Sequence, residues 1–202
     1  SVGSPNLYLG ASITKTNNGE RDMWSMSSDR YINAAIKNVE TYLEEIGERL
    51  RGKVRSTTPF ASGYKPELEA SSLLGNVEAT KYQELIGVLR WAVEIGRIDI
   101  LTEVSLLSQH LAAPRQGHLD QAFHVFAYLK YCPNLSLSFD SRRLDIDNSA
   151  FKEVDWSEFY PDTDPLIPDN CPKSLGETVK ITCYVDANHA GNMVTRRSHT
   201  GF

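Results

Sequence analysis

Cysteine is scarce in this chain of 202 residues, and the three present, Cys132, Cys171 and Cys183, stand far apart. They form no Cys-x-x-Cys pair, and no histidine lies at zinc-ligand spacing to any of them. That excludes the sequence signature of a zinc module and of a disulfide framework. The expectation is a reducing intracellular compartment, cytoplasmic or nuclear. Long apolar runs are missing too. No stretch approaches the ~20 residues that a membrane-spanning helix needs, so no membrane partner is expected. There is no initial methionine and no basic-then-apolar leader. Gly3, Ser4 and Pro5 lead straight into a strand-like segment, as in an internal piece of a longer polypeptide.

A strong charge imbalance is also lacking. The formal net charge is −5, from 26 acids and 21 bases. Ten of the acids but only four of the bases lie between Asp140 and Glu177, so the remainder is near neutral. Overall charge therefore argues neither for nor against a nucleic-acid partner. The acidic segment holds Pro161, Pro165, Pro168 and Pro172, and reads as a largely irregular tether anchored by Trp156, Phe159 and Tyr160. Phosphate repels carboxylate, so this segment is a poor nucleic-acid contact.

What is present is 41% hydrophobic residues in segments of two periods, the composition of a folded α+β protein. Leu7 to Ile13 reads as a strand interrupted by Gly10, where a bulge or a close approach is one reading and a plain strand glycine the other. Asn17-Asn18-Gly19 signals a turn, and Arg21 to Met26 returns as a second strand, making a β-hairpin. Ser27 or Ser28 caps a helix whose apolar stripe is Tyr31, Ala35, Val39, Tyr42, Leu43, Ile46 and Leu50. Arg30, Lys37, Asn38 and Thr41 fall off that stripe, as a solvated face or as contacts to a groove or phosphates. Arg49, Arg51, Lys53 and Arg55 cluster just beyond.

A loop follows from Ser56 to Ser72, broken by Pro59, Gly63 and Pro66 and pinned by Phe60 and Tyr64. Three amphipathic helices come next and should pack as a bundle. The first runs from Ala79 to Ile95, with Gly87 inside it compensated by close helix packing, and Gly96 at its end. The second has Asp99 in its first turn and stops before Pro114. The third runs from about Gln116 to Tyr131 and stops before Pro133. His118 and His124 on it are six apart, which does not put both on one helix face, so they are not expected to share a metal. Leu135, Leu137 and Phe139 alternate as a short strand.

The end of the chain carries the sharpest chemical feature. Val179, Ile181, Cys183 and Val185 alternate with Lys180, Thr182 and Tyr184, a half-buried strand that presents Asp186 at its tip. Ala187, Ala190 and Gly191 leave room beside the acid. A strand-end carboxylate flanked by small residues suits a metal ion; a turn cap is the plainer alternative. A turn containing Thr195, Arg196, Arg197 and Ser198 follows, and Thr200-Gly201-Phe202 begins a returning strand.

These segments, in order and over essentially the whole chain, resemble the C-terminal part of the reverse transcriptase region of copia-type LTR retrotransposon Pol polyproteins, running into ribonuclease H. The resemblance is carried by Leu7-Tyr8-Leu9-Gly10-Ala11, by Trp24 to Tyr31, and by Tyr82 to Trp91. It continues through Arg97-Ile98-Asp99-Ile100, Glu103-Val104-Ser105 and Tyr128-Leu129-Lys130. It ends in Tyr184-Val185-Asp186-Ala187-Asn188-His189-Ala190-Gly191 with Arg196 to Gly201. It implies the end of a polymerase palm over residues 1–26 and a helical thumb and connection region over 27–133, with a loop at 56–78. A short strand and acidic tether over 134–178 and the start of an incomplete ribonuclease H-like sheet over 179–202 complete it.

The resemblance assigns Tyr8, Leu9 and Gly10 to a primer grip, and Asp186 to the first metal-binding, catalytic carboxylate of ribonuclease H. It implies an RNA/DNA hybrid or template–primer duplex and the rest of the polyprotein as partners, with Arg196 and Arg197 as candidate backbone contacts. In the parent enzyme two Mg²⁺ ions would sit ~4 Å apart among several carboxylates. His189 stands where many relatives carry Trp. The polymerase's paired aspartates and the other nuclease acids are absent, so neither active site is complete, no tight Mg²⁺ binding is expected, and the chain alone should be inactive. The alternative from another class is a non-catalytic helical interaction module.

Overall fold

The computed structural model describes residues 5–17, 19, 22–50, 57–139, 158–159, 169–173, 175–176, 186–188 and 190–201. The strand expected over Val179 to Val185, the bases Arg51, Lys53 and Arg55, and His189 lie outside them. The described residues form an α+β protein that divides into two compact units, Ser1–Ser141 with Asn192–Arg196, and Arg142–Gly191 with Arg197–Phe202.

The first unit opens with an antiparallel sheet. Strand β1 (Leu7–Tyr8) turns directly into β2 (Ala11–Asn17), and β2 turns into β3 (Asp22–Ser27). Gly10 is therefore not a bulge or interruption within one strand, as the alternating pattern suggests; it is half of a two-residue turn. Strand β4 (Ser136–Phe139) returns after the helices and pairs with the far side of β3, in the register Met26↔Leu137 and Trp24↔Phe139. The strand order is β1-β2-β3-β4.

Helix α1 spans Asp29–Glu45; its N-cap is Ser28, which makes no side-chain capping bond, and the Asp29 N–H is met instead by Ser27 Oγ at 3.3 Å. Its buried face is Ile32, Ala35, Ile36, Val39 and Leu43. Ala35, Val39 and Leu43 of the stripe read from the sequence are buried, but that stripe omits the buried Ile32 and Ile36, while Tyr31 is only partly buried and gives its hydroxyl to the Val88 carbonyl, and Ile46 is exposed. Gly47, at φ 75°, ends the helix, and the Glu48 N–H reaches back to the Leu43 carbonyl at 2.7 Å.

Helices α2 (Asn76–Glu94), α3 (Leu101–Ser108) and α4 (Gln116–Tyr131) complete the bundle. Tyr82, Leu85, Ile86 and Leu89 of α2 pack with Val104 and Leu107 of α3 and with Leu119, Val125 and Phe126 of α4, in one core with the buried face of α1. Tyr82, fully buried, donates its hydroxyl to the Leu107 carbonyl at 2.8 Å, which satisfies the polar end of a large core residue. Helix α3 is shorter than its sequence segment because a 3₁₀ turn, Ile98–Ile100, opens it. Gly87 is exposed, and a Cβ added there would meet nothing within 4 Å, so close helix packing does not explain it. Gly96 behaves as expected of a helix terminator, at φ 114°, with the Arg97 N–H bonded to the Ala92 carbonyl.

The loop before α2 is a strap laid along α4. Phe60 and Tyr64 meet edge to face at 5.5 Å, and Pro66 is buried. The backbone of the strap is read by side chains and amides of α4. The Ala61 N–H bonds Gln121 Oε1 at 3.3 Å, the Thr58 carbonyl meets His124 Nε2 at 3.1 Å and the Pro66 carbonyl meets His118 Nε2 at 3.0 Å. His118 and His124 thus both face the strap at different points along it.

In the second unit, β5 (Asp186–Asn188) pairs antiparallel with β6 (His199–Gly201), the returning strand anticipated from the sequence.

Candidate nucleic-acid interface

The first site is the tip of the β1–β2 hairpin. Tyr8 pairs with Ala11, leaving Leu9 and Gly10 as the turn at φ 49° and 95°. Positive φ at both positions is the geometry of a type I′ turn, whose twist matches that of paired strands. Glycine takes it freely; a leucine in that region pays of order 1–2 kcal/mol. The Ile13 N–H bond to the Asn6 carbonyl, at 3.0 Å, extends the ladder behind the turn, and Ala11 is wholly buried beneath it. Leu7, Tyr8 and Leu9 are all more than half exposed. The result is a stiff backbone that holds an apolar and aromatic tip in water. Such a tip can stack on bases or press on sugars, and carries no charge for phosphate. Leu7 belongs to it, although the resemblance assigns only Tyr8, Leu9 and Gly10.

Helix α1 presents Arg30, Lys37, Asn38 and Thr41 outward. Asn38 lines a shallow groove with Val39 of α1 and Lys81, Glu84 and Val88 of α2. Lys81 is spoken for there, since it pairs with Glu84 at 2.9 Å and lies 4.4 Å over the Tyr42 ring.

Asp186 opens β5, opposite Gly201 in the register. The chain between the two strands is held by local bonds. Asn192 Oδ1 accepts the Val194 and Thr195 amides at 3.1 and 2.8 Å, and the Arg196 N–H bonds the Asn192 carbonyl at 2.9 Å. Arg196 is exposed with φ 58°, and Arg197 is exposed beside it. Among the described residues no group of three His, Cys, Asp or Glu side chains could hold a metal ion. A pair of Mg²⁺ ions needs several carboxylates, so the described residues do not fit a two-metal centre.

A cluster that sequence reasoning missed lies where the helices meet the sheet. Arg97 is fully buried and forms a bidentate pair with Asp99 at 2.9 and 2.8 Å. The Tyr128 hydroxyl donates to the same carboxylate at 2.9 Å, and the guanidinium lies 5.9 Å from that ring. Burial pushes the Asp99 carboxyl up, but the Arg97 hydrogen bond and charge, with the Tyr128 hydroxyl, outweigh it, and the net direction is below the ordinary carboxylate range. Gly96, next in the chain, packs against Met26 of β3 and Leu137 of β4. The Arg-x-Asp spacing is visible in the sequence, but its partner Tyr128 is 29 residues away from Asp99.

The chain is 30% identical over 140 residues to the Saccharomyces cerevisiae (strain ATCC 204508 / S288c) protein YCL074W, whose name assigns it to the transposon Ty5-1. The match covers 69% of this chain and 41% of the yeast protein, so the chain spans about two fifths of that relative's length. No protein-family model and no solved structure matches the chain. The kinship is thus with a transposon-encoded protein.

Proposed function

We propose that this transposon-related chain is part of a copia-type reverse transcriptase with ribonuclease H, and that its own task is to hold an RNA/DNA hybrid or template–primer duplex. The observation that carries the reading is the hairpin tip. A strained, glycine-assisted turn keeps three large apolar residues in water, ahead of a four-helix bundle, in a relative of a transposon protein. Such exposure is costly unless something covers it. A duplex end, with stacked bases and sugars, is an occupant of matching chemistry. Arg196 and Arg197 would bind phosphates, and Asp186 would be the first of several nuclease carboxylates holding Mg²⁺. The resemblance matches only Asp186 to the nuclease acids, so this reading expects the chain alone neither to polymerise nor to hydrolyse.

The test is fluorescence anisotropy of a labelled RNA/DNA hybrid at about 50 and 200 mM salt, a range over which binding to phosphate weakens steeply. Tyr8→Ala should weaken binding by about 1–3 kcal/mol, the usual worth of stacking a base on an aromatic ring. Arg196→Ala with Arg197→Ala should flatten the dependence of log affinity on log salt by about one unit for each phosphate that is no longer neutralised. Absence of binding at low salt, or binding indifferent to all three substitutions, would remove the proposal. A non-catalytic helical interaction module would then be the better reading, and the exposed Trp91, Ile98 and Leu101 of the bundle would be its natural surface.

A further inference from the structure

We infer, on the premise that a duplex seats at the hairpin tip, that the outward face of the sheet carries its sugar–phosphate backbone on two rows of hydroxyls. The strand register lines these hydroxyls up. Ser12 lies opposite Ser27, and Ser27 opposite Ser136; Thr14 lies opposite Ser25, and Ser25 opposite Ser138. Residues directly opposite in antiparallel strands share a face, and so do alternate residues along one strand. Two rows of three hydroxyls therefore cross β2, β3 and β4 on one side. Neighbours in a row are about 5 Å apart, and the rows are about 7 Å apart along the strands.

The other side of the sheet faces the helices. Ala11 is wholly buried there, and Gly96 packs against Met26 and Leu137. The hydroxyl side is open: Thr14, Ser136 and Ser138 are exposed, and Ser12, Ser25 and Ser27 are half-buried. Leu7, opposite Ser12, extends the first row into the exposed hairpin tip. A nucleic-acid strand seated at the tip meets that row next.

The chemistry of the face suits such a strand. Serine is not a favoured strand residue, and larger β-branched or aromatic residues would pair better across these strands. Its use here keeps the face flat, so that a backbone can lie close. The face is also uncharged, since Lys15 and Asp22 pair with each other on the opposite side. A lysine only donates and a carboxylate only accepts, whereas a hydroxyl does both. It can give its proton to a phosphate oxygen and accept one from a ribose 2′-hydroxyl. Ser27 Oγ, which already accepts the Asp29 N–H, still has its own proton to give. A lipid or an apolar protein face would leave these hydroxyls without partners, which is costly.

Anisotropy of a labelled RNA/DNA hybrid on the intact chain, at about 50 and 200 mM salt, tests this. Ser136→Ala with Ser138→Ala removes one exposed hydroxyl from each row. It should weaken binding about fourfold or more at both salts, since each hydrogen bond contributes about two- to tenfold. The dependence of log affinity on log salt should not change, because a neutral hydroxyl releases no counterion. Ser138→Asp should weaken binding further, and most at low salt, where repulsion is least screened. Ser105→Ala, at an exposed serine of α3, should have no effect. In nitrogen-15 spectra of the unaltered chain, the amides of Thr14, Ser25 and Ser138 should move on adding the hybrid, while that of Leu89 stays. Binding that falls with Tyr8→Ala but ignores the paired serine substitutions would overturn the hydroxyl rows and leave the hairpin reading standing. So would a changed salt dependence in the serine variant, or amides that do not move. No binding by the unaltered chain at low salt would remove both.

Discussion

Replacing Asp99 with alanine isolates the most consequential polar group in the bundle. The Arg97 side chain is 1% exposed, against 25% for its partner Asp99. Its Nη1 already has no hydrogen-bond partner. Without Asp99 the guanidinium keeps its charge, because arginine does not deprotonate in proteins, and it has no route to water. An orphaned buried charge costs about 3–5 kcal/mol, of which the lost Tyr128 bond is a smaller share. For a protein of this size that corresponds to about 10–15 °C in Tm, at ~3 °C per kcal/mol. Urea unfolding followed by circular dichroism reads the free energy directly. The reverse change, Arg97→Met, should cost less, because a quarter-exposed carboxylate can still hydrate. The pair Arg97→Met with Asp99→Leu should return to within about 1 kcal/mol of the parent, since an apolar pair needs no desolvation. An Asp99→Ala penalty below about 1 kcal/mol, or a double variant as weak as the single one, would refute the reasoning. There is also a pH signature. The Asp99 carboxyl is lowered in the fold, so its contribution is complete above the ordinary ~3.9 and is lost as pH falls through the lowered value.

Three further substitutions have clear signs. Gly87→Ala should stabilise the chain by about 0.5–1 kcal/mol in urea unfolding, because the position is helical, exposed and free of neighbours. Gly117→Ala should destabilise it by about 1–2 kcal/mol, because the new Cβ overlaps the Glu69 carboxylate and drives it off the Ser71 N–H; with Glu69→Ala in the background the further loss should vanish. Leu9→Asn should gain up to about 1 kcal/mol in stability by relieving the left-handed backbone, yet lose hybrid affinity in the anisotropy assay, a split that a merely structural turn would not give.

The parts legible in the sequence are those fixed by neighbours along the chain. Helix α4 runs from Gln116 to Tyr131, as its pattern predicts, because an apolar stripe is fenced by Pro114 and Pro133. Gly96 is a terminator by conformation, which any distant neighbour leaves intact, whereas the α1 stripe read as far as Leu50 runs past the terminator Gly47. The hairpin of Leu7 to Ile13 with Arg21 to Met26 is legible from its turn signal, but the earlier turn at Leu9 and Gly10 is not, because a two-residue turn hardly disturbs an alternating pattern. The difference at Tyr31 and Ile32 of α1 has another origin. Tyr31 looks as apolar as Ile32, and only the Val88 carbonyl at the other end of its hydroxyl draws it to the rim of the core. The clamp between the strap and α4 could not be seen in advance, since most of its partners are backbone groups that leave no mark on residue choice. Its trace is Gly117, where a side chain would displace Glu69.

The pairing of β4 with β3 joins residues more than a hundred positions apart, so the sheet is finished only after every helix has been made. Until then β3 has an open side and the ladder Trp24 to Ser27 waits with its amides unpaired. Folding that must close so long a loop is slow, and the waiting edge can recruit a like strand from another molecule. A chain cut after Tyr131 would keep its helical core and carry that open edge permanently. Such a product would look well folded by helix content and still associate edge to edge, whereas one extended through Phe139 would close its own sheet.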